Sequence, residues 1–324
     1  MEVTDGHLAT PGGLRVRRPS QKDAAAVAEI KRSVEVALHG DSDVTEDTVR
    51  EEWALPRLDL DHDVWLVEDE GGVPLAYGLC WVEAPPGEIV AEQTVRPEAR
   101  GHGLSELLLD LGEARAAEQL RAASPNSGGC LGVWSHVSDA SRLALYERRG
   151  YEQVRVFLRL DRDLEPAVED RVWPAGITVA TFRKRRDDDA VHAAGEEAFR
   201  DHFRPAEMDL EEWREFRFSR DDLDTGLWLV AWHGDEVAGA ILAFETPSGG
   251  YLDELFVRRP WRGRGLGRAL LLEECAELRR RGQRLAYLGV DSENPTGAMR
   301  LYESAGFRSL RGPTLFLEKK LAAG

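Results

Sequence analysis

Arg258-Arg259-Pro260-Trp261-Arg262-Gly263-Arg264-Gly265-Leu266-Gly267-Arg268 packs five arginines and three glycines into eleven residues. The run Tyr251–Val257 enters it as a strand. A stretch from about Leu266 to Arg281 leaves it as a helix, with Ala269, Leu270, Cys275 and Leu278 available for a buried side. Glycines let a backbone approach a ligand and take conformations barred to other residues. The start of a helix adds unpaired N–H groups and a partial positive charge, and together these make an anion site. The arginines suit phosphate oxygens. The stretch reads as a cradle for a phosphate or pyrophosphate near Leu266. Glycine spacing alone also fits a dinucleotide site or an ATP loop. A P-loop needs Gly-Lys-Ser/Thr, which does not occur here. The dinucleotide fingerprint follows the first strand of its unit, whereas this turn follows about the fourth.

Moving outward, the chain repeats itself. Trp65-Leu66-Val67 recurs as Trp228-Leu229-Val230, and Val95 with Arg100 recurs as Val257 with Arg262. Leu145-Tyr146-Glu147 and Gly150-Tyr151 recur as Leu301-Tyr302-Glu303 and Gly306-Phe307. Patches matching in the same order at this separation mean a duplicated domain. The copies are expected at residues 1–165 and 176–324, with Leu164–Ala175 as linker and an insertion near Ala122–Gly129 in the first. Each reads as strands alternating with helices, an α/β (α+β) sheet protein in two copies. In the second, Trp228–Trp232 and Val237–Glu245 form a hairpin, and Leu285–Val290 is an interior strand. Asn294–Ala305 reads as a helix with Asn294 as N-cap, Pro295 in the first turn and Gly306 as the left-handed stop.

Composition narrows the function. Of 324 residues 42% are hydrophobic, enough for a core, and 59 acidic against 42 basic residues give a net charge of -17. That balance argues against a nucleic-acid partner. No stretch reaches the roughly 18 apolar residues of a membrane helix, and the acidic start is unlike a secretory signal. Three scattered cysteines offer neither a disulfide framework nor a thiolate zinc site. A cytoplasmic protein without metal is expected.

Arg262-x-x-Gly265-x-Gly267, after a strand ending Leu255-Phe256-Val257, resembles the acetyl-coenzyme A signature of the GNAT N-acetyltransferases. Asn294 and Leu301-Tyr302-Glu303-x-x-Gly306-Phe307 resemble that family's second motif. The first copy is similar more loosely: Arg100-Gly101-His102-Gly103-Leu104-Ser105 has serine at the last glycine, and Ser138 replaces Asn294. The tandem arrangement is similar to that of the mycothiol synthases, except that Tyr251 stands where those enzymes carry an acid.

The resemblance implies a duplicated GNAT fold, a mixed sheet flanked by helices, whose strands Tyr251–Val257 and Leu285–Val290 splay around the pantetheine of acetyl-coenzyme A. Main-chain groups of Leu255, Phe256 and Val257 would pair with that arm and polarise the thioester. Gly263, Arg264, Gly265, Leu266, Gly267 and Arg268 would hold the pyrophosphate, with Arg262 facing the same anion and Asn294 in the second motif. Tyr302 would hand a proton to the sulfur. For the base, alternation places Asp253 and Glu254 on opposite faces, with Asp253 slightly favoured because it shares the face of Tyr251. The alternative is a strand-end acid paired with an arginine of the neighbouring turn. Phe199-Arg200-Asp201-His202-Phe203-Arg204-Pro205, with Trp213 and Phe216, would shape the acceptor pocket. The expected activity is transfer of acetyl from acetyl-coenzyme A to a small-molecule amine by direct attack, since no nucleophilic triad is apparent. The alternatives are a non-catalytic acyl-coenzyme A sensor or scaffold, and a mycothiol-synthase-like acetylation of a thiol-cofactor precursor.

Overall fold

Each of the two units into which the chain divides is built on one mixed sheet with helices on both faces. A computed structural model describes residues 3–4, 7–9, 13–84, 88–123, 128–200, 202–203, 208–219, 223–294 and 296–321. Pro295, Asp201, Arg204, Pro205 and residues 124–127 of the expected insertion lie outside the described residues.

In the first unit the strands run in the order β1 (Val3–Thr4), β2 (His7–Ala9), β3 (Arg15–Arg17), β4 (Val64–Glu68), β5 (Pro74–Ala84), β6 (Glu88–Val95), β7 (Gly129–His136) and β14 (Thr314–Leu321). Its helices are α1 (Ala24–His39), α2 (Glu46–Trp53), α3 (Leu60–Asp63), α4 (Leu104–Ala123) and α5 (Ala140–Arg148). In the second unit the order is β8 (Glu152–Asp163), β13 (Leu285–Asp291), β12 (Gly249–Val257), β11 (Glu236–Thr246), β10 (Trp228–His233) and β9 (Ile177–Thr181). Its helices are α6 (Asp188–Phe199), α7 (Leu210–Arg217), α8 (Leu266–Arg280) and α9 (Ala298–Ser304).

The units differ from the expected boundaries. The division falls at Val154/Arg155, and the C-terminal strand returns to the first unit. Thr314–Leu321 pairs with β7 from Thr314↔His136 to Leu321↔Gly129, while Phe157–Asp163 of β8 pairs with β13. Each copy's last strand therefore completes the other copy's sheet. Backbone groups along a buried strand must be paired, and register with a distant strand satisfies them as well as a near one. Residues 164–175, expected as the linker between the copies, carry neither helix nor strand and fall inside the second unit.

Sequence dictates the second unit's helices locally. Asp209 caps α7, accepting from Glu211 and Glu212 N–H at 2.9 Å, and the Glu212 side chain returns to the Asp209 N–H at 3.1 Å. Trp213 then anchors α7 in the core. α8 buries Leu266, Ala269, Leu270, Cys275 and Leu278, as its spacing requires. It packs so closely on β12 that a Cβ at Gly250 would lie 2.3 Å from Leu278.

Two irregularities in β12 shape the second unit's cleft and the acids beside it. Its parallel pairing with β13 covers only Gly250↔Ala286 and Tyr251↔Tyr287, so the two strands part beyond Tyr251. Its antiparallel register with β11 slips between Leu242↔Glu254 and Ala243↔Leu252, leaving Asp253 as the extra residue of a β-bulge. Packing confirms the slip. Gly250 faces α8 at Leu278, and Val257 also faces α8, 3.5 Å from a Cβ placed at Gly267. Residues an odd number apart share a face only across a bulge. The expectation that Asp253 and Glu254 lie on opposite faces is therefore corrected: both reach the α7 residue Arg217.

Candidate active site

The parted strands open a cleft of about 280 Å³. Leu255, Phe256 and Val257 line it from β12, and Trp261, Arg262, Gly263, Gly265, Leu266, Gly267 and Arg268 from the turn and start of α8. Ala198, Phe199 and His202 close it at the end of α6, and Thr296, Gly297, Ala298, Leu301 and Tyr302 at α9. Twelve of the residues expected at the site thus meet around one space, Phe199 and His202 of the expected acceptor pocket among them. Among those expected, Arg264, Asn294, Asp253, Glu254, Arg200, Phe203, Trp213 and Phe216 are not in its lining, and Trp213 lies in the core instead.

The turn has the backbone its glycines foretell. Gly263 and Gly265 have φ of 71° and 83°, in the left-handed region, and a Cβ on either would meet nothing within 4 Å. Conformation, not space, demands glycine there. Gly267 differs: its Cβ would come within 3.3 Å of Leu301, so closeness between α8 and α9 sets that position. No side chain caps α8, whose N-cap Gly265 is exposed, so its first amides face the cleft mouth without a side-chain acceptor. A diphosphate fits that cradle.

The arginines do different work from that expected. Arg262 donates to the carbonyls of Val257 at 2.9 Å and Ala198 at 3.0 Å, so its guanidinium clamps the turn to β12 and α6. Arg258 pairs with Glu197 at 2.7 Å, donates to the Val237 carbonyl at 3.1 Å and lies over the Trp261 ring. Arg268 meets Glu169 in an exposed pair at 3.1 Å, which is worth little and leaves its charge at the cleft. Arg264 is exposed on the turn.

Asn294 also departs from expectation. α9 begins at Ala298 after Gly297, whose φ is 78°, and Asn294 instead accepts from the Thr296 N–H at 2.9 Å and Thr296 Oγ1 at 2.5 Å. A short polar side chain here closes a local turn rather than a helix. The stop does fall at Gly306, with φ 84°. Tyr302 lies half-buried on α9 against the cleft, and burial pushes its hydroxyl up to about 12, so it carries its proton at neutral pH.

The acids of β12 sit beside the cleft on the α6–α7 face. Arg217 Nη1 donates to Asp253 Oδ2 at 2.5 Å, and Nη2 pairs with Glu254 Oε1. Burial pushes the Glu254 carboxyl above its ordinary range, against the pull of Arg217. The arginine expected to pair with the strand-end acid thus comes from α7, not from the turn.

Comparison with known proteins places this geometry. The acetyltransferase (GNAT) family model matches residues 190–307. The mycothiol acetyltransferase of Geodermatophilus obscurus is 32% identical over 231 residues, covering 68% of this chain and 71% of the relative. That of Salinispora arenicola is 30% identical over 312 residues, covering 92% and 94%. A crystal structure of a GCN5-related N-acetyltransferase from Sphaerobacter thermophilus matches at TM-score 0.77 and 32% identity, covering 98% of each chain. The chain belongs to the GNAT acetyltransferase family.

A GNAT acetyltransferase takes its acetyl group from acetyl-coenzyme A, and the splayed sheet, glycine turn and uncapped helix of this one fit that donor. No helix among the described residues is long and apolar enough to cross a membrane. Sequence reasoning missed Ala198, Trp261, Thr296, Gly297, Ala298 and Leu301 as cleft residues. Trp261 stood inside the arginine-glycine turn, and Gly297 sits next to the helix start with a left-handed φ. Arg217 gave no local signal at all.

Proposed function

We propose that the second unit transfers an acetyl group from acetyl-coenzyme A to the amine of a small molecule by direct attack. The observation that carries this is the cleft itself: exposed amides of a glycine turn at one end, parted strands along its length, and Tyr302 within it. Amides from Gly263 to Arg268 hold the pyrophosphate, and main-chain groups of Leu255–Val257 meet the pantetheine and the thioester carbonyl. Asp253 or Glu254, directly or through water, takes a proton from the acceptor's ammonium. The freed nitrogen lone pair forms the C–N bond, the C–S bond breaks, Tyr302 gives its proton to the leaving thiolate, and the second proton released from the acylated nitrogen returns, through water, to the Tyr302 oxygen. The products are an N-acetyl amide and free coenzyme A thiol. Phe199 and His202 at the end of α6 border the acceptor side.

The mycothiol acetyltransferases that match most of the chain favour a more specific acceptor, the amine precursor of mycothiol. Tyr251, stacked on Tyr287 at 5.1 Å, would then do without the acid those enzymes carry at its position. The test is release of coenzyme A thiol from acetyl-coenzyme A across a panel of amines that includes this precursor. Turnover with one amine and not with its N-acetyl derivative supports the reading. No thiol release with any amine, despite acetyl-coenzyme A binding, contradicts it and leaves a binding module.

A further inference from the structure

Arg217 ends α7 with a side chain only 9% exposed, and its two Nη atoms engage two carboxylates that are neighbours in sequence. Neighbouring strand residues ordinarily diverge; the bulge at Asp253 turns both acids to one side. Two carboxylates brought so close repel, and one of them tends to stay protonated. A planar guanidinium can meet both at once, which a lysine's point charge cannot. Among the other titratable groups that face Glu254 are His192 and Glu196 of α6.

The first copy shows the arrangement without these parts. Its strand β6 runs in register with β5 from Ala76↔Val95 to Val82↔Ile89, without a slip beside Ala91 or Glu92. Arg217 is the eighth residue of α7, and the eighth residue of α2 is Trp53, which donates to Tyr77 Oη at 2.8 Å. Its cation comes instead from α1: Lys31 pairs with Glu52 and lies 3.8 Å from Glu92. The eighth residue of α6, in the place of Lys31, is Gly195. Bulge and arginine thus occur together, in the copy that has the open cleft between β12 and β13.

We infer that Arg217 is a positioning residue for acetyl transfer, holding Asp253 and Glu254 side by side so that one can accept the acceptor's proton. This rests on reading those acids as the base. In the step concerned, an N–H bond of the ammonium breaks, the proton joins a carboxylate oxygen, and the lone pair stays on nitrogen. Arg217 touches neither reactant.

The experiment is a carbon-13 NMR titration of the carboxyl groups in the full chain, with Asp253→Asn and Glu254→Gln identifying the two signals. In Arg217→Met, at least one of the two midpoints should rise by about one pH unit or more. The turnover of this variant should fall about tenfold or more while its acetyl-coenzyme A affinity holds. Midpoints that stay put, or unchanged turnover, overturn the inference. Should the methionine variant fail to bind acetyl-coenzyme A, Arg217→Lys carries the test: one midpoint rises and the other stays, and two unmoved midpoints overturn it. The parent reading fails separately, if Asp253→Asn and Glu254→Gln both keep full turnover.

Discussion

The two copies share a plan and differ where chemistry would happen. Both have a turn of two left-handed glycines before a helix, Gly101 and Gly103 at 85° and 76° against Gly263 and Gly265 at 71° and 83°. Both carry a tyrosine whose carbonyl accepts from the residue five places on, Tyr146 from Tyr151 and Tyr302 from Phe307, each at 3.0 Å. Yet Tyr146 is fully buried and Gln93 donates to its hydroxyl at 3.2 Å, whereas Leu255 replaces Gln93 in the second copy and Tyr302 faces a cleft. Glu92 has the ammonium of Lys31 within reach, while Glu254 shares Arg217 with Asp253. In the first copy Tyr146 and Glu92 each have a neighbour of their own, Gln93 and Lys31. A backbone plan survives such changes because glycine turns and sheet register do not depend on what the side chains do. Activity does depend on them.

The comparison breaks most visibly through the exchanged strands. A chain ending at Pro313 loses β14 and leaves β7 without its partner along eight registered pairs. The first unit should lose about 5 kcal/mol or more, the whole stability of an ordinary domain, and with it its cooperative unfolding. Thermal unfolding followed by circular dichroism checks this; an unchanged transition would mean the strand is dispensable.

The paired tyrosines sharpen it. Tyr302→Phe should lower turnover by about 100-fold or more and leave acetyl-coenzyme A affinity within about twofold. Tyr146→Phe should leave turnover alone and cost about 1 kcal/mol through the lost Gln93 bond. Equal loss of turnover in both would erase the distinction between the copies.

A third contrast lies in the helices. The ninth residue of α8 is Glu274, fully buried, with both carboxyl oxygens lacking a partner among the described residues. The ninth of α4 is Gly112, beside Ala91. Burial pushes the Glu274 carboxyl up to about 9. The folded state therefore holds a proton that the unfolded chain releases near pH 4.5, and stability falls as pH rises from there towards 9. Glu274→Met should gain little at about pH 4.5 and about 3 kcal/mol at about pH 7, measured by urea unfolding at each pH. A gain independent of pH would rule out that origin.

The smallest effect concerns the turns. Gly265→Ala and Gly103→Ala should each cost about 1–2 kcal/mol of unfolding stability, since both positions have positive φ. Only the first should weaken acetyl-coenzyme A binding to the second unit, as calorimetric titration would show.

What the sequence revealed was what short-range rules govern. The glycine turn, α8 and the hairpin around His233-Gly234-Asp235 follow from φ preference and periodicity within a dozen residues. The bulge at Asp253 was hidden because it depends on register with β11, so alternation put Asp253 and Glu254 on opposite faces. Arg262 read as a phosphate ligand because its partners, the carbonyls of Val257 and Ala198, are brought to it by folding. Asn294 looked like an N-cap, but the same side chain closes a turn with Thr296 equally well. The strand exchange was invisible for a plainer reason: a terminal strand suits either sheet until its partner is known.

The most direct measurement is a crystal structure with acetyl-coenzyme A. Its diphosphate should sit on the amides between Gly263 and Arg268, with the thioester between β12 and β13 and its sulfur within hydrogen-bond reach of Tyr302 Oη. A donor bound elsewhere, with the glycine turn empty and the strands closed, would contradict the assignment of this cleft as the site of acetyl transfer.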